Sequence, residues 1–253
     1  MFLINGIDLK PVHAFNNLDK YADDTYLIVS SDNESTIDDE LSAIERWATE
    51  NNLTLNKSKS TEIIIYPSTV ALAKASPVAQ LPCIARVTTT KILGVTFGQC
   101  LSVSPHVAEV TLRSTQSLYA LKILKSHGLD PRSLHLVCQS TLISRLTYAS
   151  PSWWGLASSE DKAKLQSVLN RAKKWGLCDP AAPQLEKICS KYDSDLFQQV
   201  ILSPNHTLHY LLPPLKSHPY QMRPRAHERQ LTPKGGSLFA KTFIQRMLYK
   251  DIY

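Results

Sequence analysis

The sequence predicts an α+β chain, a small antiparallel β region followed by a helical bundle, on three observations. Strand-like runs occupy the first part, apolar residues at helical spacing dominate from about Ser104, and the formal charge changes sign between the two. Residues 1–66 carry a net −7 and residues 67–253 a net +13 of the whole-chain +6. An acidic block ahead of a basic one suits one end that holds cations and another that lies against a polyanion. A solvated acidic helix ahead of an ordinary basic domain would give the same charges.

Leu18 to Val29 reads as a β-hairpin. β-branched and aromatic residues stand on both sides of Asp23 and Asp24, which tolerate a tight turn. Ser35 to Asn51 reads as a helix, with Ser35 or Thr36 as cap and Asp38, Asp39 and Glu40 at the positive end of its dipole. Ile37, Leu41, Ile44 and Trp47 give it one apolar face. Lys59 to Tyr66 reads as a buried strand ended by Pro67. Residues 67–83 read as a loop, and Ile84 to Phe97 as a second hairpin. Helices are expected from Ser104 to near Gly128, from Leu134 to Tyr148 and from Glu160 to Trp175. In the third, Leu165, Val168, Leu169, Ala172 and Trp175 line one face, while Lys162, Lys164, Arg171, Lys173 and Lys174 lie off it. After Gly176 the chain reads as irregular and proline-rich, with a final helix over Leu238 to Lys250.

No run of apolar residues reaches the roughly 18 that a membrane helix needs, and the first eight residues do not read as a secretory leader. A nuclear or cytoplasmic protein, neither secreted nor membrane-bound, is the expectation. Five widely spaced cysteines do not form a disulfide framework. Cys178, Cys189, His206 and His209 would make four zinc ligands, but their spacing fits no compact zinc unit.

Tyr21-Ala22-Asp23-Asp24 is the sharpest chemical signal. Adjacent carboxylates at a hairpin tip repel each other unless a divalent cation sits between them. Mg²⁺ suits such a pair, taking one or two carboxylates, waters and substrate phosphates. Two such ions activate an attacking oxygen and stabilise a leaving one. A bare Asp-Asp in an exposed turn is common, so its context decides.

That context resembles the catalytic hairpin of reverse transcriptases. Trp47, followed by Asn51-Asn52-Leu53-Thr54-Leu55-Asn56-Lys57-Ser58-Lys59, is similar to the helix, turn and lysine-bearing strand after that hairpin. Lys91-Ile92-Leu93-Gly94-Val95 resembles the primer-grip hairpin. Tyr119-Ala120-Leu121, Tyr148-Ala149-Ser150 and Trp153-Trp154-Gly155 are similar to the thumb and C-terminal region of the non-LTR (LINE-class, jockey-like) retrotransposon enzymes. The first 97 residues carry the specific motifs, and the rest matches loosely.

The resemblance implies a partial palm over residues 1–98, a helical thumb over 99–176 and a basic C-terminal region over 177–253. It implies an RNA-directed DNA polymerase using Mg²⁺, dNTPs, an RNA template and a DNA primer. Asp23 would be the main metal ligand and Asp24 the auxiliary one. Tyr21 would stand by the incoming nucleotide or the primer end, or else simply pack in its strand. Lys59 would protonate the pyrophosphate leaving group, or be a surface lysine. Gly94 would let the primer backbone approach, or serve only its turn. Lys162, Lys164, Lys173 and Lys174 would grip template–primer phosphates. Arg223, Arg225, His227 and Arg229 alternate and would track a phosphate backbone if extended. The fingers and the third metal-binding aspartate would precede Met1, so the chain alone is expected to be inactive. The alternative is a non-catalytic remnant that binds nucleic acid.

Overall fold

The protein is described here from a computed structural model, which covers residues 8–216, 227–233 and 235–250. The chain divides into two compact units. The first takes residues up to Thr61 together with Gln80–Ala85; the second takes Glu62–Ala79 and everything from Arg86. The boundary therefore falls well before residue 98. The hairpin expected to close a palm domain belongs instead to the helical unit, because its second strand packs on the long helix that follows.

In the first unit, β1 (Asn17–Tyr21) and β2 (Asp24–Ile28) form an antiparallel hairpin, with Tyr21 opposite Asp24 and Asn17 opposite Ile28. Ala22 and Asp23 make the turn, and Ala22 is left-handed at φ 53°. A 3₁₀ turn over Ser31–Thr36 leads into α1 (Ile37–Glu50). Glu40, in the first turn of α1, is buried and ties the helix to the loop ahead of β1. It accepts hydrogen bonds from Val12 N, His13 N and Asn16 Nδ2, each at 2.9 Å.

The chain passes between the units within β3 (Thr61–Glu62) and β4 (Ala85–Arg86). The strand expected over Lys59–Tyr66 is thus only two residues long. Lys59 stands in a turn held by its own amide donating to Asn56 O at 3.1 Å, and Tyr66 N reaches Gln99 O. Residues 67–83 are not wholly loop. Ser68 caps a short helix, α2 (Thr69–Lys74), accepting from Ala71 N. Among the described residues the strands form three two-stranded sheets, where a single small sheet was expected.

In the second unit, β5 (Thr89–Ile92) and β6 (Val95–Gly98) form a hairpin whose turn, Leu93-Gly94, has positive φ at both positions. Right-handed strand twist favours such a turn. The 23-residue α3 (Ser104–Ser126) follows, with Val107, Val110, Leu118 and Leu121 buried. Then come α4 (Pro131–Cys138), a π-helical turn over Gln139–Ile143 and α5 (Ser144–Leu146), which begin before the predicted Leu134 and end two residues short of the predicted Tyr148. Ala149, left-handed at φ 49°, breaks the chain before α6 (Ser150–Trp153). In α7 (Ser159–Lys174), Ser158 caps the helix and Leu165, Val168, Leu169 and Ala172 enter the core, as the periodicity predicted, but Trp175, expected on the same face, lies beyond the helix end and is exposed.

Residues after Gly176 are not all irregular. The 18-residue α8 (Leu185–Leu202) buries Leu185, Cys189, Phe197 and Val200. Its acidic and polar positions Asp193, Ser190 and Ser194 are occupied from outside the helix by Arg246 and Lys250, which masks its amphipathic pattern. The final helix is shorter than predicted: a 3₁₀ turn over Phe239–Lys241, then α9 (Phe243–Tyr249), packs on α8. Among the described residues no helix is long and apolar enough to cross a membrane.

Candidate nucleic-acid interface

At the hairpin of the first unit, Tyr21, Asp23 and Asp24 are all exposed, Tyr21 by 63%. Tyr26 reaches across two residues so that its hydroxyl donates to Asp24 Oδ2 at 3.3 Å. Asp23 ends the two-residue turn and Asp24 opens β2 opposite Tyr21, so both carboxylates stand at the tip. They can supply oxygens to a hard cation that completes its shell with water and phosphate. Among the described residues no third His, Cys, Asp or Glu joins them. Lys59 is exposed on its turn.

In the second unit, Gly94 is not an open glycine. A Cβ there would stand 3.2 Å from Tyr148 Cε1, and the Tyr148 hydroxyl donates to Leu93 O at 3.1 Å. The Tyr148 ring thus covers the turn from the end of α5. Trp153 Nε1 donates to Tyr148 O at 2.8 Å and fixes the backbone that carries the ring.

Beside this contact the hairpin, α3 and the π-helical turn enclose a cleft of about 460 Å³. Lys91, Arg113 and Arg145 bring three cations to it, and Glu109 one carboxylate. Glu109 pairs with Lys91 Nζ at 3.0 Å and with Arg113 Nη2 at 2.7 Å. Hydrogen bonding by Lys91 outweighs partial burial and, with Arg113, holds the Glu109 carboxyl below its ordinary value. Arg145 donates to Arg113 O and to Ser117 Oγ, which braces its guanidinium against α3. The π turn places Ser140, Thr141 and Ser144 on the same cleft. One-turn π insertions of this kind often re-aim side chains at functional sites. Sequence reasoning found Gly94 and the Tyr148 segment but missed this cluster, whose cations lie on three elements far apart in the chain.

The four lysines predicted to grip phosphates are mostly engaged. Lys162 pairs with Glu186 at 3.4 Å and lies over the Trp154 ring. Lys164 pairs with Glu160 one turn away at 2.8 Å, and Lys173 donates to Ala182 O. Lys174 is exposed. In the alternating segment, His227 meets Leu248 O and accepts from Arg229 N, while Arg229 Nη1 donates to Pro213 O. Arg223 and Arg225 lie outside the described residues. The four imagined zinc ligands do not converge. Cys178 hydrogen-bonds Cys138, His206 Nδ1 accepts from Leu208 N, and His209 meets Val200 O.

No family model, no curated protein and no solved structure matches this chain.

Proposed function

We propose that the chain is part of a reverse transcriptase of the non-LTR retrotransposon class, an RNA-directed DNA polymerase. In this reading Asp23 and Asp24 hold Mg²⁺, and the second unit lies along the template–primer duplex. Supplied with dNTPs, such a site joins a nucleotide to a primer 3′ oxygen with loss of pyrophosphate. The bound Mg²⁺ would polarise the reacting phosphate, and the carboxylates would orient the ion. The observation that carries the reading is the pair of adjacent, exposed carboxylates at the tip of an antiparallel hairpin, two and three positions after Tyr21. The order of helix, Asn-rich turn and glycine hairpin behind it is the further support.

The pair has no third carboxylate among the described residues, so it binds metal weakly and the chain alone extends no primer. Primer extension on an RNA template with Mg²⁺ and dNTPs tests this. Extension lost in Asp23→Asn would establish polymerase activity and overturn the expectation of inactivity. The same observation favours a second reading, a remnant that binds nucleic acid without catalysis. Duplex binding that is unchanged by Asp23→Asn and by Mg²⁺ would select it.

A further inference from the structure

The cleft between the β5–β6 hairpin and α3 holds an unused group. His106, in the first turn of α3, is only 3% exposed, and neither ring nitrogen has a hydrogen-bond partner. Its ring meets the edge of Trp153, with centroids 5.1 Å apart and planes at 69°. Trp153 is itself fixed by its bond to Tyr148 O, so the imidazole is held in place beside the cleft it lines. A buried polar atom without a partner is a group waiting for one, or for an ordered water.

The charges around it are specific. From the hairpin comes Lys91; from α3 itself, Glu109 and Arg113; from α5, Arg145. Tyr148 and Trp153 are neutral. Asp161 of α7 approaches the start of α3 but is bound by Ser104 Oγ at 2.7 Å and Ser158 Oγ at 2.8 Å. Three cations therefore line the cleft with one carboxylate, while the Ser144 and Tyr148 hydroxyls donate to Gln139 O and Leu93 O. This set suits a tetrahedral oxyanion, which takes several donors at once.

We propose that the cleft seats the oxygens of a phosphate group and that His106 takes up a proton as the anion binds. The proposal rests on the nucleic-acid reading for its natural source, a backbone phosphodiester; a free phosphate offers the same chemistry. The physical reason is a reversal of field. In the empty cleft burial disfavours the imidazolium, Glu109 opposes this and Lys91 adds to it, leaving the histidine below its ordinary range. An oxyanion beside the ring favours the charged form and gives an orphaned N–H an acceptor. Binding and protonation are then linked, each strengthening the other.

The test uses the full chain and sulfate, a tetrahedral oxyanion that stays dianionic across the range in which histidine titrates. Calorimetry at constant ionic strength, in two buffers of different ionisation enthalpy, counts protons taken up per sulfate. The expected result is uptake approaching about one proton near pH 6, with affinity rising by up to about tenfold per pH unit as pH falls. Imidazole resonances identify which histidine titrates. His106→Gln should abolish the uptake, and His106→Phe should do so while keeping a ring against Trp153. Sulfate binding without proton uptake, uptake that persists in both variants, or no sulfate binding at all overturns the proposal. A hybrid RNA–DNA duplex is the second arm. Duplex binding without proton linkage leaves the nucleic-acid reading standing and removes this one. Linked sulfate binding without duplex binding does the reverse and marks the site as one for free anions.

Discussion

Tyr148 closes over Gly94 so that the turn of β5–β6 is locked to the end of α5, with 3.2 Å between Tyr148 Cε1 and the place where a Cβ would stand. Two demands fall on that glycine, a φ of +88° and the ring above it. Gly94→Ala is expected to destabilise the protein by roughly 1–2 kcal/mol from the left-handed backbone alone, and further if the ring must shift. Urea unfolding of Gly94→Ala, Tyr148→Ala and the double variant separates the two. The double should lose less than the sum of the singles. Strict additivity would show that the ring contact carries no energy.

Glu40 makes a pH prediction for the first unit. Burial raises its carboxyl, but hydrogen bonds from Asn16, His13 and Val12 outweigh this and leave it below the ordinary value. A depressed folded-state carboxyl stabilises fully above its unfolded pKa, about 4.3. That stability is lost as pH falls through the lower folded value. Glu40→Gln should therefore be less stable than the parent near neutral pH, and the gap should narrow below about pH 4. Thermal melts from about pH 3 to 7 read this out. A gap independent of pH would mean that the carboxylate charge is not what the three donors stabilise.

The C-terminal helix is held by Arg246, whose Nη1 meets the buried Asp193 at 2.5 Å and whose Nη2 also reaches Pro151 O at 3.3 Å. Removing one partner of a buried pair leaves an uncompensated charge, at a cost of about 3–5 kcal/mol. Arg246→Ala is expected to fall in that range by chemical denaturation. Asp193→Asn combined with Arg246→Met should recover much of it, since neither charge then remains buried. A double variant as unstable as Arg246→Ala would point to the backbone carbonyl contacts instead. Gly155 belongs to the same contact, because a Cβ there would run into Arg246 Nε and Lys241 O.

The elements that could be read in the sequence are those whose pattern is local. The Asp23–Asp24 hairpin, α1, α3 and α7 have regular apolar spacing or turn residues of clear type. The α8 helix was missed because Asp193, Ser190 and Ser194 sit where a buried face needs apolar residues, and their partners are some 50–60 positions away. The Ile63–Tyr66 run looked like a strand because it is β-branched, yet Tyr66 N bonds Gln99 O outside any regular ladder. For the candidate site, Tyr21, Asp23, Asp24 and Gly94 are the residues that the sequence singles out as motifs. The cleft of Lys91, His106, Arg113 and Arg145 was not, since only tertiary packing assembles it.

On the proposed nucleic-acid reading, the ion pairs of the second unit decide which cations would meet the phosphates. A lysine matched one-to-one by a carboxylate adds little net charge to the surface, and a phosphate must displace or tolerate that carboxylate. Lys162 and Lys164 are in that position, through Glu186 and Glu160. Lys173 donates to a neutral carbonyl and Lys174 is exposed, so both keep their charge for a polyanion. In the cleft Lys91 and Arg113 share Glu109, and Arg145 is held by Arg113 O and Ser117 Oγ. Each phosphate neutralised contributes roughly −0.9 to the log–log salt slope. Replacing Lys162, Lys164, Lys173 and Lys174 by Gln is thus expected to flatten the slope by about two, not four. Lys91→Gln with Arg113→Gln should flatten it by about the same amount with half the substitutions. Fluorescence anisotropy of a labelled hybrid duplex across a salt series measures both, with circular dichroism to check that helicity is unchanged. A loss near four from the lysine set, with none from the cleft pair, would place the duplex along α7 and away from the β5–β6 hairpin.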